Sequence, residues 1–211
     1  MTRILIADDH TIVREGLKQI LAETSDMVVA GEATNGQEVL DKIKQNDYDV
    51  VLLDISMPGR NGLDILKQLK IDNPRVSVLI LSMYSEEQYA MRALRAGAAG
   101  YMTKESAPDE LIQALRKVSQ GRKYISPTLA EKLALNLEGG DEQKPPHETL
   151  SDREYQVFCM IASGKMIKEI ADELSLSVKT VSTYRSRILE KMGLKNNAAL
   201  THYAIQNKLV E

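Results

Sequence analysis

The sequence predicts an α/β domain with a doubly wound, five-stranded parallel sheet, followed by a small all-α domain. In the first part of the 211-residue chain, five short apolar runs alternate with five segments of helical spacing. The last part holds four amphipathic segments and no strand-like run. Because parallel strands need long crossover connections, the alternation favours a parallel sheet with helices on both faces.

The five predicted strands are apolar runs suited to burial on both faces of a sheet. They occupy residues 4–7, 27–30, 50–53, 76–81 and 100–102. The segments between and after them carry apolar stripes at helical spacing, over residues 12–21, 39–43, 63–69, 89–94 and 111–118. Ser106 and Asp109 have the spacing of a cap for the last of these helices.

The second part predicts helices over residues 151–163, 167–174, 178–192 and 197–207. Ser151 and Glu154 form a predicted capping box, and Ser177 is a predicted N-cap for the third helix. A further helix over 127–137 leads to a linker over 138–147, where glycines, prolines and charges replace apolar residues. We therefore divide the chain into 1–123, a linker region 124–149, and 150–211.

Composition excludes several broad classes of protein. The single cysteine, Cys159, cannot form an internal disulfide or a multi-cysteine metal site, which fits a reducing cytosol and a cytoplasmic location. We assign Cys159 to a helix core, and the isolated His10, His147 and His202 to surface or turn positions rather than to ligands. The first residues contain no signal peptide or membrane span, so no membrane partner is expected.

Charge is unevenly distributed along the chain. The net charge of -3 argues against a uniformly basic nucleic-acid-binding surface. However, the predicted helix over residues 178–192 carries four basic residues and one acidic residue. The basic character that nucleic-acid binding requires is therefore concentrated on one helix.

Polar residues follow four of the predicted strands. Asp8 and Asp9 follow the first strand, Asp54 the third, Ser82 ends the fourth, and Lys104 follows the fifth. The carboxyl ends of parallel strands meet at one edge of the sheet, so these residues are expected together. Clustered carboxylates repel one another unless a cation is bound, and oxygen ligands suit Mg²⁺. One carboxylate could then attack phosphorus while the cation and the lysine stabilise the phosphoryl oxygens.

These residues resemble the receiver domain of two-component response regulators, which has a flavodoxin-like fold. The resemblance covers residues 1–123 and rests on Asp8-Asp9, Asp54 with Ser56-Met57-Pro58-x-x-x-Gly62, Ser82, Ala96-Gly97-Ala98 and Tyr101-x-x-Lys104. One visible departure is Met83, because the residue after the switch hydroxyl is often small in receivers.

The resemblance implies a role for each pocket residue. Asp54 would be the phosphoacceptor, and Asp9 and Asp54 would bind Mg²⁺ directly. Ser56 would contribute its backbone carbonyl, and Asp8 would act mainly through water. Lys104 would pair with the phosphoryl group. Ser82 and Tyr101 would form the switch pair, in which the hydroxyl moves toward the new phosphoryl group and the aromatic ring turns into the vacated space.

The second domain contains a predicted helix-turn-helix over residues 167–192. Small polar residues lie between basic ones on the outward face of its second helix, which suits the major groove of DNA. The face carries Lys179, Ser182, Thr183, Ser186 and Arg187, with Arg185 and Lys191 beside them. A solvated helix whose charges serve only solubility is the alternative.

The same region resembles the LuxR-type helix-turn-helix domain over residues 148–211. The matching motifs are Leu150-Ser-Asp-Arg-Glu154, Ala162-x-Gly164, Lys168-Glu-Ile-Ala171, Ser177-Val-Lys-Thr-Val181, Ile188-Leu-Glu-Lys-Met192 and Ala198-Ala199. Together with a receiver, they indicate the NarL/FixJ group of response regulators. The resemblance implies phosphate contacts by Lys179, Arg185 and Arg187, and base contacts by Ser182, Thr183 and Ser186. Tyr184 and Asn196-Asn197 depart from the residues common at these positions.

The expected function is that of a phosphorylation-regulated transcription factor. A sensor histidine kinase or a small phosphodonor would phosphorylate Asp54 with Mg²⁺, and a homodimer would then bind double-stranded DNA. No enzymatic activity is expected beyond self-phosphorylation and slow self-dephosphorylation. Two alternatives are a Mg²⁺-dependent phosphohydrolase with an Asp nucleophile, and a receiver that signals without phosphate.

Overall fold

The sheet of the first domain consists of five short, largely buried strands. In this computed structural model they are β1 (Thr2–Ala7), β2 (Met27–Ala33), β3 (Val50–Leu53), β4 (Ser77–Ser82) and β5 (Gly100–Thr103). All four neighbouring pairs are parallel, in the order β2-β1-β3-β4-β5. Every residue of β3 is buried, as expected for a strand covered on both faces. The predicted doubly wound sheet is confirmed.

Five helices follow the five strands. They are α1 (Thr11–Ala22), α2 (Gly36–Gln45), α3 (Gly62–Asp72), α4 (Glu86–Arg95) and α5 (Pro108–Ser119). Each buries an apolar stripe, such as Leu111, Ala114, Leu115 and Val118 on α5. These α5 residues pack with side chains of β1, β3 and β4 in one core cluster, so burial of the stripes holds the helices on the sheet.

The predicted cap of α5 is wrong. Ala107 occupies the N-cap position and makes no side-chain cap hydrogen bond, while Pro108 takes the first helical turn. The Ser106 hydroxyl instead lies 3.4 Å from Thr103 Oγ1. Proline fixes a helical backbone angle and has no N–H to satisfy, so this helix begins without a serine cap.

The second part of the chain is helical, as predicted. After α6 (Pro127–Glu138) and a 3-10 turn (Pro146–Thr149), it contains α7 (Asp152–Ala162), α8 (Ile167–Glu173), α9 (Val178–Met192) and α10 (Asn197–Gln206). The capping box of Ser151 and Glu154 is present, and Ser177 caps α9 by accepting a hydrogen bond from the Thr180 N–H. Cys159 is buried in α7, as predicted.

The structure describes residues 1–138 and 145–210. The chain divides into two compact units, Met1–Leu129 and Ala130–Glu211, which are described separately below. The centre of the predicted linker, residues 139–144, lies outside the described residues. Within the described part of the chain, no helix combines the length and apolar character that a membrane span requires.

Candidate phosphoacceptor pocket and DNA-binding helix

The sheet brings the predicted pocket residues to one edge. β1 and β3 are adjacent, and Ala7 pairs with Leu53 at their carboxyl ends. The Asp54 N–H donates to the Ala7 carbonyl at 2.9 Å, which holds the residues after the two strands side by side. Asp8, Asp9, Asp54 and the neighbouring His10 offer ligand atoms that all lie within 4.8 Å of one another. The predicted acidic cluster therefore exists.

Lys104 connects two of these carboxylates. Its Nζ lies 2.6 Å from Asp8 Oδ2 and 2.7 Å from Asp54 Oδ2, and its side chain is only 6% exposed. The Lys104 N–H also donates to the Ser82 carbonyl at 2.8 Å, which joins the ends of β5 and β4. Burial by itself lowers the pKa of the Lys104 ammonium, but the Asp54 and Asp8 carboxylates outweigh burial and raise that pKa. The ammonium therefore remains charged at neutral pH.

Asp54 is the most enclosed carboxylate of the pocket. Its side chain is 1% exposed, and its Oδ1 accepts a hydrogen bond from the Ser56 N–H at 2.8 Å. Burial raises the pKa of the Asp54 carboxyl above its ordinary value, and the Lys104 ammonium opposes this shift without cancelling it. A poorly hydrated carboxylate with a fixed orientation is suited to nucleophilic attack once a cation compensates its charge.

The pocket residues fit a bound cation. Asp9 Oδ1 and Ser56 Oγ are buried, and neither atom has a hydrogen-bond partner among the described residues. Buried polar atoms normally have partners, so these two oxygens leave room for a ligand or ordered water. Three carboxylates and a backbone carbonyl are the donors that Mg²⁺ prefers. The donor set therefore matches the predicted magnesium site.

The structure places the predicted switch pair next to the pocket, with the aromatic ring inside. Ser82 and Tyr101 are both fully buried. The Tyr101 hydroxyl donates to the Tyr84 carbonyl at 2.8 Å, and the Tyr84 N–H donates to Ser82 Oγ at 3.2 Å. Burial raises the pKa of the Tyr101 phenol, and the Ser82 hydroxyl opposes that shift. In this conformation the ring already fills the inward position that the switch hypothesis requires.

Sequence reasoning missed two supports of the pocket. The Arg14 guanidinium donates to the Asp8 carbonyl at 2.8 Å and pairs with Glu32 at 3.1 Å, which fixes the loop after β1. His10, which we had assigned to a surface or turn, has an exposed ring whose Nδ1 nevertheless contacts both Asp8 and Asp9. Arg14 meets Glu32 from a distant part of the chain, so no local pattern signals that pair. The His10 contacts involve neighbouring residues, but they depend on the backbone and ring geometry after β1, which residue spacing does not specify.

In the second unit, helix α9 presents the predicted polar face. Its exposed residues include Lys179, Ser182, Thr183, Ser186 and Arg187, while Val181 and Ile188 are buried on the opposite side. The Thr183 hydroxyl donates to the Lys179 carbonyl and the Ser186 hydroxyl to the Ser182 carbonyl. Each hydroxyl therefore uses its proton within the helix and keeps its oxygen lone pairs available as acceptors.

The turn before α9 and the ion pair beneath it set the position of this helix. Ser175 has a left-handed backbone with φ of 52°, which lets the chain reverse within four residues of the end of α8. The Lys191 ammonium lies 2.6 Å from Glu154 Oε2, and the Glu154 side chain is only 5% exposed. Because Glu154 also caps α7, it joins α7 to α9. The sequence showed the capping role of Glu154 but not this pairing.

Arg185 is held differently from the other basic residues of α9. It is half-buried, and its Nε donates to Asn197 Oδ1 at 2.6 Å, at the start of α10. Arg187 and Lys179 are exposed. The guanidinium of Arg185 therefore links two helices, and phosphate contact by this residue stays a prediction.

Comparisons with known proteins agree with both parts of the structure. Residues 4–116 match the family described as "Response regulator receiver domain", and residues 148–204 match "Bacterial regulatory proteins, luxR family". Response regulator GacA of Pseudomonas viridiflava is 39% identical over 211 residues, covering 100% of this chain and 99% of that protein. Response regulator UvrY of Escherichia coli strain K12 is 36% identical over 209 residues, covering 99% and 96%.

Solved structures show the same two-part architecture. RcsB from Salmonella enterica serovar Typhimurium, bound to promoter rprA in the presence of phosphomimetic BeF3-, is 28% identical with a TM-score of 0.67, covering 96% of this chain and 97% of that chain. The response regulator ChrA of a heme-sensing two-component system is 31% identical with a TM-score of 0.53, covering 98% of both chains. These matches favour a transcription regulator over the phosphohydrolase alternative. The chain belongs to the response regulators of the NarL/FixJ type, which combine a receiver domain with a LuxR-type DNA-binding domain.

Proposed function

We propose that the receiver accepts a phosphoryl group on Asp54 from a sensor histidine kinase or a small phosphodonor. The observation that carries the proposal is the geometry of Asp54, which lies buried at a strand end, bonded to the Ser56 N–H and paired with Lys104. In the transfer, an Asp54 oxygen forms a bond to phosphorus while the bond from phosphorus to the donor atom breaks. The receiver thereby supplies the nucleophile and the positioned cationic group.

The pocket residues divide the remaining work. Asp9, Asp54 and the Ser56 carbonyl would hold Mg²⁺, and Asp8 would act mainly through water. When bound, Mg²⁺ supplies positive charge that offsets the phosphoryl oxygens. Lys104 would exchange its contact with the Asp54 carboxylate for one with a phosphoryl oxygen, and Ser82 would donate a hydrogen bond to another. The same machinery supports slow self-dephosphorylation.

Replacing Asp54 tests the phosphoacceptor assignment. In Asp54→Asn, a small phosphodonor with Mg²⁺ should add no phosphoryl mass, because an amide oxygen is a poor nucleophile. Asp41→Asn, an exposed change on α2, should label like the native chain. Intact-mass spectrometry with circular dichroism as a folding check decides the matter. Undiminished labelling of Asp54→Asn would move the phosphoacceptor to another residue, and an unlabelled native chain would favour a phosphate-independent receiver.

We infer that α9 enters the major groove of double-stranded DNA. Its exposed face combines Lys179 and Arg187, suited to phosphates, with Ser182, Thr183 and Ser186, whose small side chains permit close approach to base edges. RcsB, the structural neighbour described above, was solved on promoter DNA. Arg185 would reach a phosphate with the guanidinium nitrogens that its Asn197 contact does not use.

The salt dependence of DNA affinity tests these contacts. If Arg187 neutralises one phosphate, Arg187→Ala should weaken binding to all sequences and reduce the slope of log K against log salt by about 0.9. Arg185→Ala should reduce the slope equally if it also contacts a phosphate. Arg75→Ala, an exposed change in the other unit, should leave the slope unaltered. Fluorescence anisotropy over a salt series measures the slopes of all three variants. An unchanged slope for Arg187→Ala would show that Arg187 does not contact a DNA phosphate.

A further inference from the structure

His10 lies against the acidic pocket in a geometry that resembles part of a metal coordination shell. Its Nδ1 is 3.0 Å from Asp9 Oδ1 and 3.2 Å from Asp8 Oδ1. In an octahedral site with bonds of about 2.1 Å, adjacent ligand atoms are separated by about 3.0 Å. His10 Nδ1 and Asp9 Oδ1 therefore have the spacing of neighbouring ligands of one ion.

Hydrogen bonding accounts for only part of this arrangement. Nδ1 is aligned for a hydrogen bond with Asp8 Oδ1, and the His10 N–H also donates to that oxygen at 2.8 Å. By contrast, Asp9 Oδ1 has no hydrogen-bond partner among the described residues, although Nδ1 is in contact distance. The imidazole nitrogen thus lies at ion-pair distance from a buried Asp9 oxygen that accepts no hydrogen bond from the described residues.

The imidazole has the freedom that a ligand needs. The His10 side chain is 62% exposed, so its ring can rotate over the pocket at little packing cost. His10 is the N-cap residue of α1 but makes no side-chain cap hydrogen bond. The side chain is therefore not required to begin the helix, and its position beside the carboxylates calls for another role.

We propose that His10 Nδ1 is a ligand of the receiver pocket and that the pocket takes first-row transition ions such as Co²⁺ or Zn²⁺ in competition with Mg²⁺. Imidazole nitrogen is a favoured ligand for these ions, whereas Mg²⁺ favours oxygen. Asp9 would provide the oxygen ligand shared by both classes of ion. The inference rests on the proposed metal site and adds a nitrogen ligand, and hence a second class of ion, to it.

Metal titrations of the untagged full-length chain test the proposal. Isothermal titration calorimetry with Mg²⁺ and with Co²⁺ should show that His10→Asn weakens Co²⁺ binding about tenfold or more while Mg²⁺ affinity changes less than about twofold. Asparagine is a good N-cap, so this variant should fold normally. His202→Asn, which removes an exposed histidine of the other unit, should change neither affinity.

The outcomes separate this proposal from the metal site itself. Unchanged Co²⁺ affinity in His10→Asn overturns the ligand role. An equal decrease in the affinities for Co²⁺ and Mg²⁺ also overturns it, because it shows that His10 only orients the carboxylates. A shift of the His10 ring nitrogen resonance on addition of Zn²⁺ supports it. If Asp9→Asn binds both ions as tightly as the native chain, the pocket does not hold metal and the proposed function fails first.

Discussion

Asp54 illustrates at the scale of one residue how the enclosure of a carboxylate affects stability. The carboxylate is almost fully enclosed, and the pairing with Lys104 does not compensate the loss of hydration, so the pKa of Asp54 is raised. Between the ordinary value of 3.8 and the raised folded value, the folded chain binds more protons than the unfolded chain. The free energy of unfolding therefore falls as pH rises through that interval, and the loss is complete above it.

This linkage predicts a stability gain from removing the charge. In metal-free solution at pH 7, Asp54→Asn should raise the free energy of unfolding by on the order of 1 kcal/mol, since a buried charge that Lys104 compensates only in part is replaced by an amide. The gain should shrink as the pH falls toward the ordinary carboxyl value, because the folded native carboxyl becomes protonated and loses its buried charge. Urea unfolding of both chains between pH 7 and pH 4 measures the difference. If the gain in the free energy of unfolding does not depend on pH, it arises from packing and not from removal of the charge.

At the scale of elements, the loop between β3 and α3 depends on a close backbone approach. A Cβ added at Gly62 would overlap the backbone of Ile55 and lie 3.0 Å from the Asp54 carbonyl oxygen. The Gly62 N–H also donates to the Ile55 carbonyl at 3.3 Å. The start of α3 therefore packs directly on the loop that carries Asp54 and the Ser56 carbonyl.

Gly62→Ala should impair the pocket without altering any polar side chain. The added methyl group must displace the backbone of Ile55, so both Mg²⁺ affinity and the rate of phosphoryl labelling should fall, by about tenfold for a site misplaced by a fraction of an ångström. Gly16→Ala is the matched control, because a Cβ there meets nothing within 4 Å. Calorimetry and intact-mass labelling give the two readouts. Normal values for Gly62→Ala would show that the loop adapts to the methyl group.

For the whole molecule, we expect the distribution of charge along the chain to determine how DNA binding is controlled. The chain carries a net charge of -3, while the basic residues suited to DNA concentrate on α9. One such helix makes few phosphate contacts, so a monomer should hold DNA weakly at physiological salt. Pairing two copies doubles the number of phosphate contacts. We therefore expect phosphorylation to act through homodimer formation.

Phosphorylation should then change both the mass of the protein assembly in solution and the salt dependence of its DNA affinity. Addition of a phosphodonor and Mg²⁺ should shift the native chain from monomer toward dimer and leave Asp54→Asn as a monomer. Sedimentation velocity measures the two populations. The slope of log K for DNA against log salt should approximately double, because two helices release counterions instead of one. If phosphorylation raises the DNA affinity but changes neither the salt-dependence slope nor the sedimenting mass, it instead uncovers α9 in a monomer.

The sequence predicted most of the architecture and the acidic residues of the pocket. Apolar periodicity identified all five strands and the helices, since each must bury one or both faces. The proximity of Asp8, Asp9 and Asp54 could be predicted because the topology places the carboxyl ends of their strands at one edge of the sheet. Ser106 was wrongly predicted as a cap, because Pro108 gave the helix a different start.

Sequence alone thus determined which residue types reach the edge of the sheet and which face of α9 is polar. Only the tertiary structure decided how their side chains pair: Lys104 bridges Asp8 and Asp54, and Arg185 bonds to Asn197 rather than extending freely. The structure also brought Lys191 to Glu154. The physical reason is that periodicity fixes burial through local spacing, whereas hydrogen bonds and ion pairs depend on distances and angles set by packed elements far apart in sequence.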